Sequence, residues 1–316
     1  MLVRYFARVA SRLKGTAVGR RVPTMLVLLV TFAFAHANAA ERPGPCTQCA
    51  EWNVSQEPFR IYGNTYYVGV RGLSAILITS PQGHVLIDGD LPESAPKIVA
   101  SIKALGFRIK DVKLILNSHV HYDHAGGIGE LHQLSGATVA ASKFTARALE
   151  DGHSGPDDPQ YGALPPIRKV AHVKVIKDGE TLHVGPLALT AHLTPGHTPG
   201  GTTWTWQSCD QDRCLNLVYA DSLTAVSADS FRFSSNTTYP NVMRDFEKSF
   251  ATLSALPCDI LLTPHPEISD LWKRIDRRDK GGDPNALVDS TACRRLADTS
   301  RANLEKRVAD ERARGH

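Results

Sequence analysis

The run VKLILNSHVHYDHAGG, residues 112–127, constrains this chain more than any other. Its first five residues are largely β-branched and apolar and predict a buried strand. Directly behind them, His119, His121, Asp123 and His124 place three imidazoles and one carboxylate within six residues. Packing does not favour such a cluster at the end of an apolar strand. Ligation does, because neutral imidazole and carboxylate are what a borderline zinc ion takes. Alternate residues of an extended chain point the same way, so His119, His121 and Asp123 are expected to face one cavity. A turn at Gly126 and Gly127 then lets His124 swing round to join them.

One tetrahedral site that retains a catalytic water uses three of these four. Two more candidates follow later strands: His197 within TPGHTPG (residues 194–200) and His265 within TPHP (residues 263–266). Six ligands divide as three and three, and two metals roughly 3.5–4 Å apart can share one hydroxide. The other histidines lack such company and read as structural or surface residues.

Around this run the pattern alternates between strands and helices. Short β-rich segments at 59–62, 65–70, 75–79 and 84–87 are punctuated by Gly63-Asn64, Gly72 and Gly83. Helical periodicity follows at 94–105, with Ser94 as a plausible cap and Gly106 as the stop. Helices are expected again near 128–134 and 144–149, with a strand at 138–141 between them. A Gly-, Pro- and Asp-rich loop at 152–168, containing Gln160 and Tyr161, is long enough to wall a pocket. Strands return at 173–176, 181–184, 187–193, 202–206 and 215–219. A helix at 242–256, a strand at 260–262 and charged helices close the chain. Strands, helices, strands, helices in two similar halves, with no linker between them, fit an α+β sandwich of two facing sheets with helices outside.

The amino terminus reads as an export signal. Six basic residues and no acid fall within the first 24 residues, ahead of an apolar run at 25–35 and the small-x-small pattern Ala37-Asn38-Ala39. The run is shorter than the roughly 20 residues a permanent span needs. The expected organisation is a signal peptide at 1–39, a leader at 40–56 and a single domain at 57–316, in a periplasmic protein with no membrane attachment after cleavage. The formal charge of +4 owes much to that signal, so the body is near neutral and offers no argument for nucleic acid.

All six cysteines lie beyond the cleavage point, and an oxidising compartment makes disulfides the default. Six cysteines allow fifteen pairings. A bridge between Cys209 and Cys214 would close the polar turn 210–213. Cys46-x-x-Cys49 has no second such pair and reads as structural rather than catalytic; its partners stay open.

HxHxDH followed by PGHTPG and a histidine after a strand resembles the metallo-β-lactamase superfamily, over most of the chain beyond the leader. GNTYYVG at 63–69, DSLTA at 221–225 and LTPHP at 262–266 are similar to its B3 subclass. The resemblance implies a four-layer αββα sandwich with the metal site at one edge. It implies two Zn2+ per chain, the first on His119, His121 and His197, the second on Asp123, His124 and His265. Ser222 stands where a B1-type enzyme has a ligating cysteine, and with Thr224 it is implied to receive a substrate carboxylate. A Cys258–Cys293 bridge is implied as well. The implied activity is that of a β-lactamase conferring antibiotic resistance, in which a zinc-bound hydroxide oriented by Asp123 opens the lactam amide of penicillins, cephalosporins and carbapenems. The expected partner is that small molecule alone, and the expected state a monomer. The rival is a glyoxalase II-like thioesterase or phosphodiesterase on the same scaffold, which would bridge its metals with an aspartate, and Asp221 lies next to the critical place; a lactonase is a third possibility. A non-catalytic zinc-binding module would need a closed site without an exchangeable water.

Overall fold

The computed structural model describes residues 46–315, so the expected signal peptide lies outside the described residues. In chain order the elements are α1 (Cys49–Trp52), β1 (Phe59–Tyr62), β2 (Thr65–Tyr67), β3 (Ile76–Ile78), β4 (His84–Ile87), α2 (Ala95–Ala104), β5 (Val112–Leu116), α3 (Tyr122–Ala125), α4 (Ile128–Ser135), β6 (Thr138–Ala141), α5 (Lys143–Asp151) and β7 (Lys174–Val175). The second half holds β8 (Thr181–Val184), β9 (Leu187–Leu193), β10 (Thr202–Asp210), β11 (Arg213–Tyr219), α6 (Val242–Ala255), β12 (Ile260–Leu262), α7 (Leu271–Asp279) and α8 (Ala292–Ala313). No described helix is long and apolar enough to cross a membrane.

The first sheet runs in the order β1-β2-β3-β4-β5-β6-β7, antiparallel up to β4 and parallel from there on. The second runs β12-β11-β10-β9-β8, antiparallel except for the parallel pair of β11 and β12. The apolar runs explain the layering. Ile76, Ile78, Val85, Ile87, Leu114 and Leu116 share one core with Leu189, Trp204, Leu217, Tyr219 and Ile260 of the second sheet. The intervening Leu77, Leu86, Ile115 and Val139 pack instead against Ile98 and Ile102 of α2 and Leu131 of α4. On the far side, Val218 and Leu261 meet Phe246 and Phe250 of α6 and Leu304 of α8. Strands buried on both faces read as continuous apolar runs rather than alternating ones, and the result is the expected αββα sandwich.

Local chemistry sets the boundaries. Ser142 caps α5 by accepting from the Thr145 backbone N–H, and Gly136 and Gly152 end α4 and α5 in the left-handed conformation. Ser94 does stand at the start of α2 but does not cap it with its side chain; its hydroxyl donates to Asn53 Oδ1 at 2.9 Å. β10 and β11 extend beyond their expected ends into one hairpin whose register pairs Cys209 with Cys214. Disulfides join Cys209 to Cys214, Cys258 to Cys293 and, in the stretch expected to be a leader, Cys46 to Cys49.

Candidate metal centre

β5 delivers the histidine run to the sandwich edge, and buried Asp88 fixes how it arrives. At the end of β4, Asp88 adopts a left-handed φ of 61° and its carboxylate accepts from Asn117 Nδ2, the Ser118 N–H, Ser118 Oγ and Tyr219 Oη, at 2.6–2.8 Å. Trp204 Nε1 donates to the Asn117 carbonyl, and the Thr202 N–H to that of Ser118. Both halves of the molecule therefore hold the loop.

Beyond Ser118 the chain stays extended only through His121, then turns into α3. Asp123 and His124 are thus presented by a helical turn. The expectation that Asp123 shares an extended face with His119 and His121 is corrected on this point. Gly126 and Gly127 do form the expected turn, between α3 and α4, but His124 is brought round by α3 ahead of it. They permit close packing, since a Cβ on Gly127 would lie 2.2 Å from the Gly89 carbonyl oxygen and one on Gly126 would lie 2.4 Å from Pro92.

The second sheet supplies the other donors. His197 follows β9, behind Gly196 at φ +144°, where a Cβ would strike the Phe246 ring at 2.6 Å. His265 follows β12. The ligand atoms of His119, His121 and His197 lie within 4.8 Å of one another, and so do those of Asp123, His124 and His265. Ring centroids of the first three stand 4.7–4.8 Å apart in a nearly equilateral triangle, and His124 lies 4.5 Å from His119, so the two groups adjoin. In the second group Asp123 Oδ2 is 3.1 Å from His124 Nε2 and 3.2 Å from His265 Nε2.

Each imidazole of the first group is held from behind. His119 Nδ1–H donates to Asp221 Oδ1 at 2.7 Å, His121 Nε2–H to Asp158 at 3.1 Å, and His197 Nδ1–H to the Thr224 carbonyl at 2.8 Å. These bonds fix the tautomers and leave one lone-pair nitrogen per ring facing inward. His119 Nε2 is buried there with no partner among the described residues. At His121 Nδ1 the Gln160 amide donates, at 3.2 Å. Burial, and then the neighbouring imidazoles, hold His119 well below its usual pKa and His197 at about 3, so both are in the neutral form that ligates. Burial pushes the Asp123 carboxyl up, but His124 and then His265 outweigh it and hold it well below the usual range, ionised. Burial also drives Asp221 up. A buried carboxylate behind a neutral imidazole is stabilised when a cation sits on the far nitrogen. Unpartnered lone pairs, fixed tautomers and, at Asp221, a buried carboxyl without countercharge fit a divalent cation at these groups.

The two groups open into a cavity of about 380 Å³, also lined by Trp52, Gln160, Leu164, Pro165, Ser222, Thr224 and Val226. Both residues expected to receive a carboxylate therefore face it. Asp158 was not foreseen; it lies 37 residues from His121 in a loop without a motif. Asp221 stands behind His119, and neither donor group includes it.

Two sheets enclosing a core, with paired three-donor groups where both sheets end, define the architecture of a metal-dependent hydrolase. The chain belongs to the metallo-beta-lactamase superfamily, whose family model matches residues 68–210. Among solved structures it is similar to the Rm3 metallo-beta-lactamase, with 58% identity over 85% of this chain and 100% of that one and a TM-score of 0.83. It is also similar to MEM-A1, a subclass B3 metallo-beta-lactamase isolated from a soil metagenome library, with 53% identity over 83% and 99% of the two chains and a TM-score of 0.81. Among curated proteins, the hydroxyacylglutathione hydrolase of Bradyrhizobium sp. (strain ORS 278) is 31% identical over 59% of each chain. The chain spans between 36% and 59% of the length of the first curated relatives it matches.

Proposed function

We propose that this protein is a zinc-dependent β-lactamase of the B3 kind that opens the lactam amide of penicillins, cephalosporins and carbapenems, and so confers antibiotic resistance. His119, His121 and His197 would hold one Zn2+, and Asp123, His124 and His265 a second. Bound zinc supplies a water acidified toward neutrality and polarises a carbonyl oxygen. The chain's own residues do the rest. Asp123, partly open to the cavity, orients the attacking water by accepting a hydrogen bond from it. Ser222 and Thr224 offer hydroxyl donors to the substrate carboxylate and so fix the ring over the donors. Asp158, Asp221 and the Thr224 carbonyl keep three imidazoles aimed, so little reorganisation is needed as charge develops.

The observation that carries this reading over a thioesterase or lactonase is the place of Asp221. Its Oδ1 is bonded to the outer nitrogen of His119, its Oδ2 lies against Gly201, and neither three-donor group includes it, which favours a support over a bridge between the groups. The B3-like relatives at 58% and 53% identity support the same reading. We further propose cleavage after residue 39, periplasmic residence as a single domain, and action as a monomer on a small molecule alone.

The deciding assay is hydrolysis of a chromogenic cephalosporin by the matured protein, expected to be abolished by a chelator and restored by zinc. Elemental analysis should then find two zinc ions per chain. A zinc-loaded protein that leaves all three lactam classes intact but cleaves a glutathione thioester or an acyl homoserine lactone would sink the proposal.

A further inference from the structure

The cavity wall holds a feature that neither donor group needs. Cys46, Thr47 and Gln48 line the same space as His121, Asp123, His197 and His265. Behind them the chain is firmly anchored. The Gly72 N–H donates to the Trp52 carbonyl at 3.0 Å, and the Arg71 N–H to that of Val54 at 2.8 Å. Ser94 Oγ and Lys97 Nζ bind the Asn53 side chain and carbonyl. Gly72 is required for this seat, since a Cβ there would lie 2.6 Å from the Trp52 Cα. The Trp52 ring then reaches His265, 5.1 Å away between centroids.

Ahead of Trp52 the anchoring is slight. Helix α1 has four residues, none of them buried, and a single turn does not hold itself in water. Thr47 and Gln48 are exposed and make no side-chain hydrogen bond among the described residues. What ties them to the cavity is the Cys46–Cys49 bridge, which closes the turn onto the helix start, together with the Trp52 N–H bond to the Gln48 carbonyl at 2.9 Å. Such a cross-link removes alternative conformations of the turn before any ligand arrives, so less conformational freedom is lost on binding.

From this juxtaposition we infer that the disulfide-closed turn Cys46–Cys49 is a specificity-determining wall. The Thr47 hydroxyl and the Gln48 amide hydrogen-bond polar substituents carried by the lactam ring, and the bridge holds them in place. This rests on the lactamase reading above and assigns to that site the recognition of the part of the substrate that does not react. The wall carries none of the six donors, so it acts on substrate selection and not on metal content.

The test uses zinc-loaded mature protein and lactams that share one ring but carry side chains from a minimal group to a large polar one. For Gln48→Ala, and for the double variant Cys46→Ser with Cys49→Ser, KM for the large polar side chains should rise about 3–10-fold, the scale of one lost hydrogen bond. KM for the smallest side chain should change less than about twofold, and kcat and zinc content should hold. Opening the bridge in the wild type with a phosphine that does not chelate zinc should reproduce the pattern, and the double variant should be insensitive to it. That arm serves if the double variant folds poorly. A change equal across the panel, or none, would overturn the inference. A wild type inactive on every lactam would instead overturn the proposed function, so the two failures are distinguishable.

Discussion

The two donor groups adjoin, yet they are built differently. In the first, His119 and His121 are 1% and 2% exposed, and each imidazole is bonded from behind to a carboxylate or carbonyl. In the second, Asp123 is 13% and His265 23% exposed, and the buried His124 Nδ1 has no hydrogen-bond partner among the described residues. His265 is backed by an aromatic face, that of Trp52, in place of a hydrogen-bond acceptor. The first group is aimed before an ion arrives. The second is closer to solvent and more readily displaced, so its ion should leave first under a chelator. The difference teaches that outer partners, and not the donor atoms alone, rank the two positions.

Removing an outer carboxylate is the strongest way to break the ranking. Asp221→Asn and Asp158→Asn should each weaken the first group by about 10–100-fold, read by competition with a chromophoric chelator. At saturating zinc both variants should still hold two ions. Loss of one ion from Asp221→Asn would mean that Asp221 bridges, and it would return the thioesterase reading to favour.

A smaller effect is expected at Trp52. Trp52→Ala should weaken only the second group, by less than about tenfold, because packing and not a charged hydrogen bond is lost. Equal weakening of both groups in the same titration would show that the aromatic face supports the cavity as a whole.

Glu311 serves as the remote control. It accepts from the Phe233 and Ser234 N–H groups and from Arg307 Nε at 2.8–3.3 Å. Burial pushes its carboxyl up, but the Ser234 and Arg307 bonds outweigh this and hold it below the usual range. A depressed folded value means that its contribution is present above about pH 4.3, the unfolded glutamate value, and is lost as pH falls through the folded one. Glu311→Gln should cost about 1–3 kcal/mol in denaturant unfolding at neutral pH and flatten that acid dependence. Both donor groups should keep their affinities.

The six donors were legible in the sequence because imidazole, imidazole and carboxylate at such spacing after an apolar strand have no packing rationale. The αββα layering was legible too, since runs such as Ile76–Ile78 are apolar on both faces. What stood behind the donors was not. Asp158 sits in the Gly-, Pro- and Asp-rich loop 152–168, where nothing distinguishes it from its neighbours Asp151 and Asp157, and only the folding of that loop brings it to His121. Asp221 could be found by its nearness to Ser222, but no spacing tells whether a carboxylate points between two metals or at the back of one imidazole. The helical turn at Asp123 escaped because four residues are too few for a period. Cys46 and Cys49 were visible, but their place beside the cavity depends on the seat of Trp52 on Gly72, a contact that no local pattern encodes.

Both groups draw on each sheet. His119, His121, Asp123 and His124 come from the end of β5, whereas His197 and His265 come from β9 and β12 in the opposite sheet. Any ion seated in either group therefore rivets the two halves together at their open end. Because it binds the assembled sandwich and not the loose chain, its free energy of association is added to that of the fold. Depriving the protein of zinc would then do more than silence it: it would leave the seam between the sheets unfastened, with the emptied chain the easier prey for proteases.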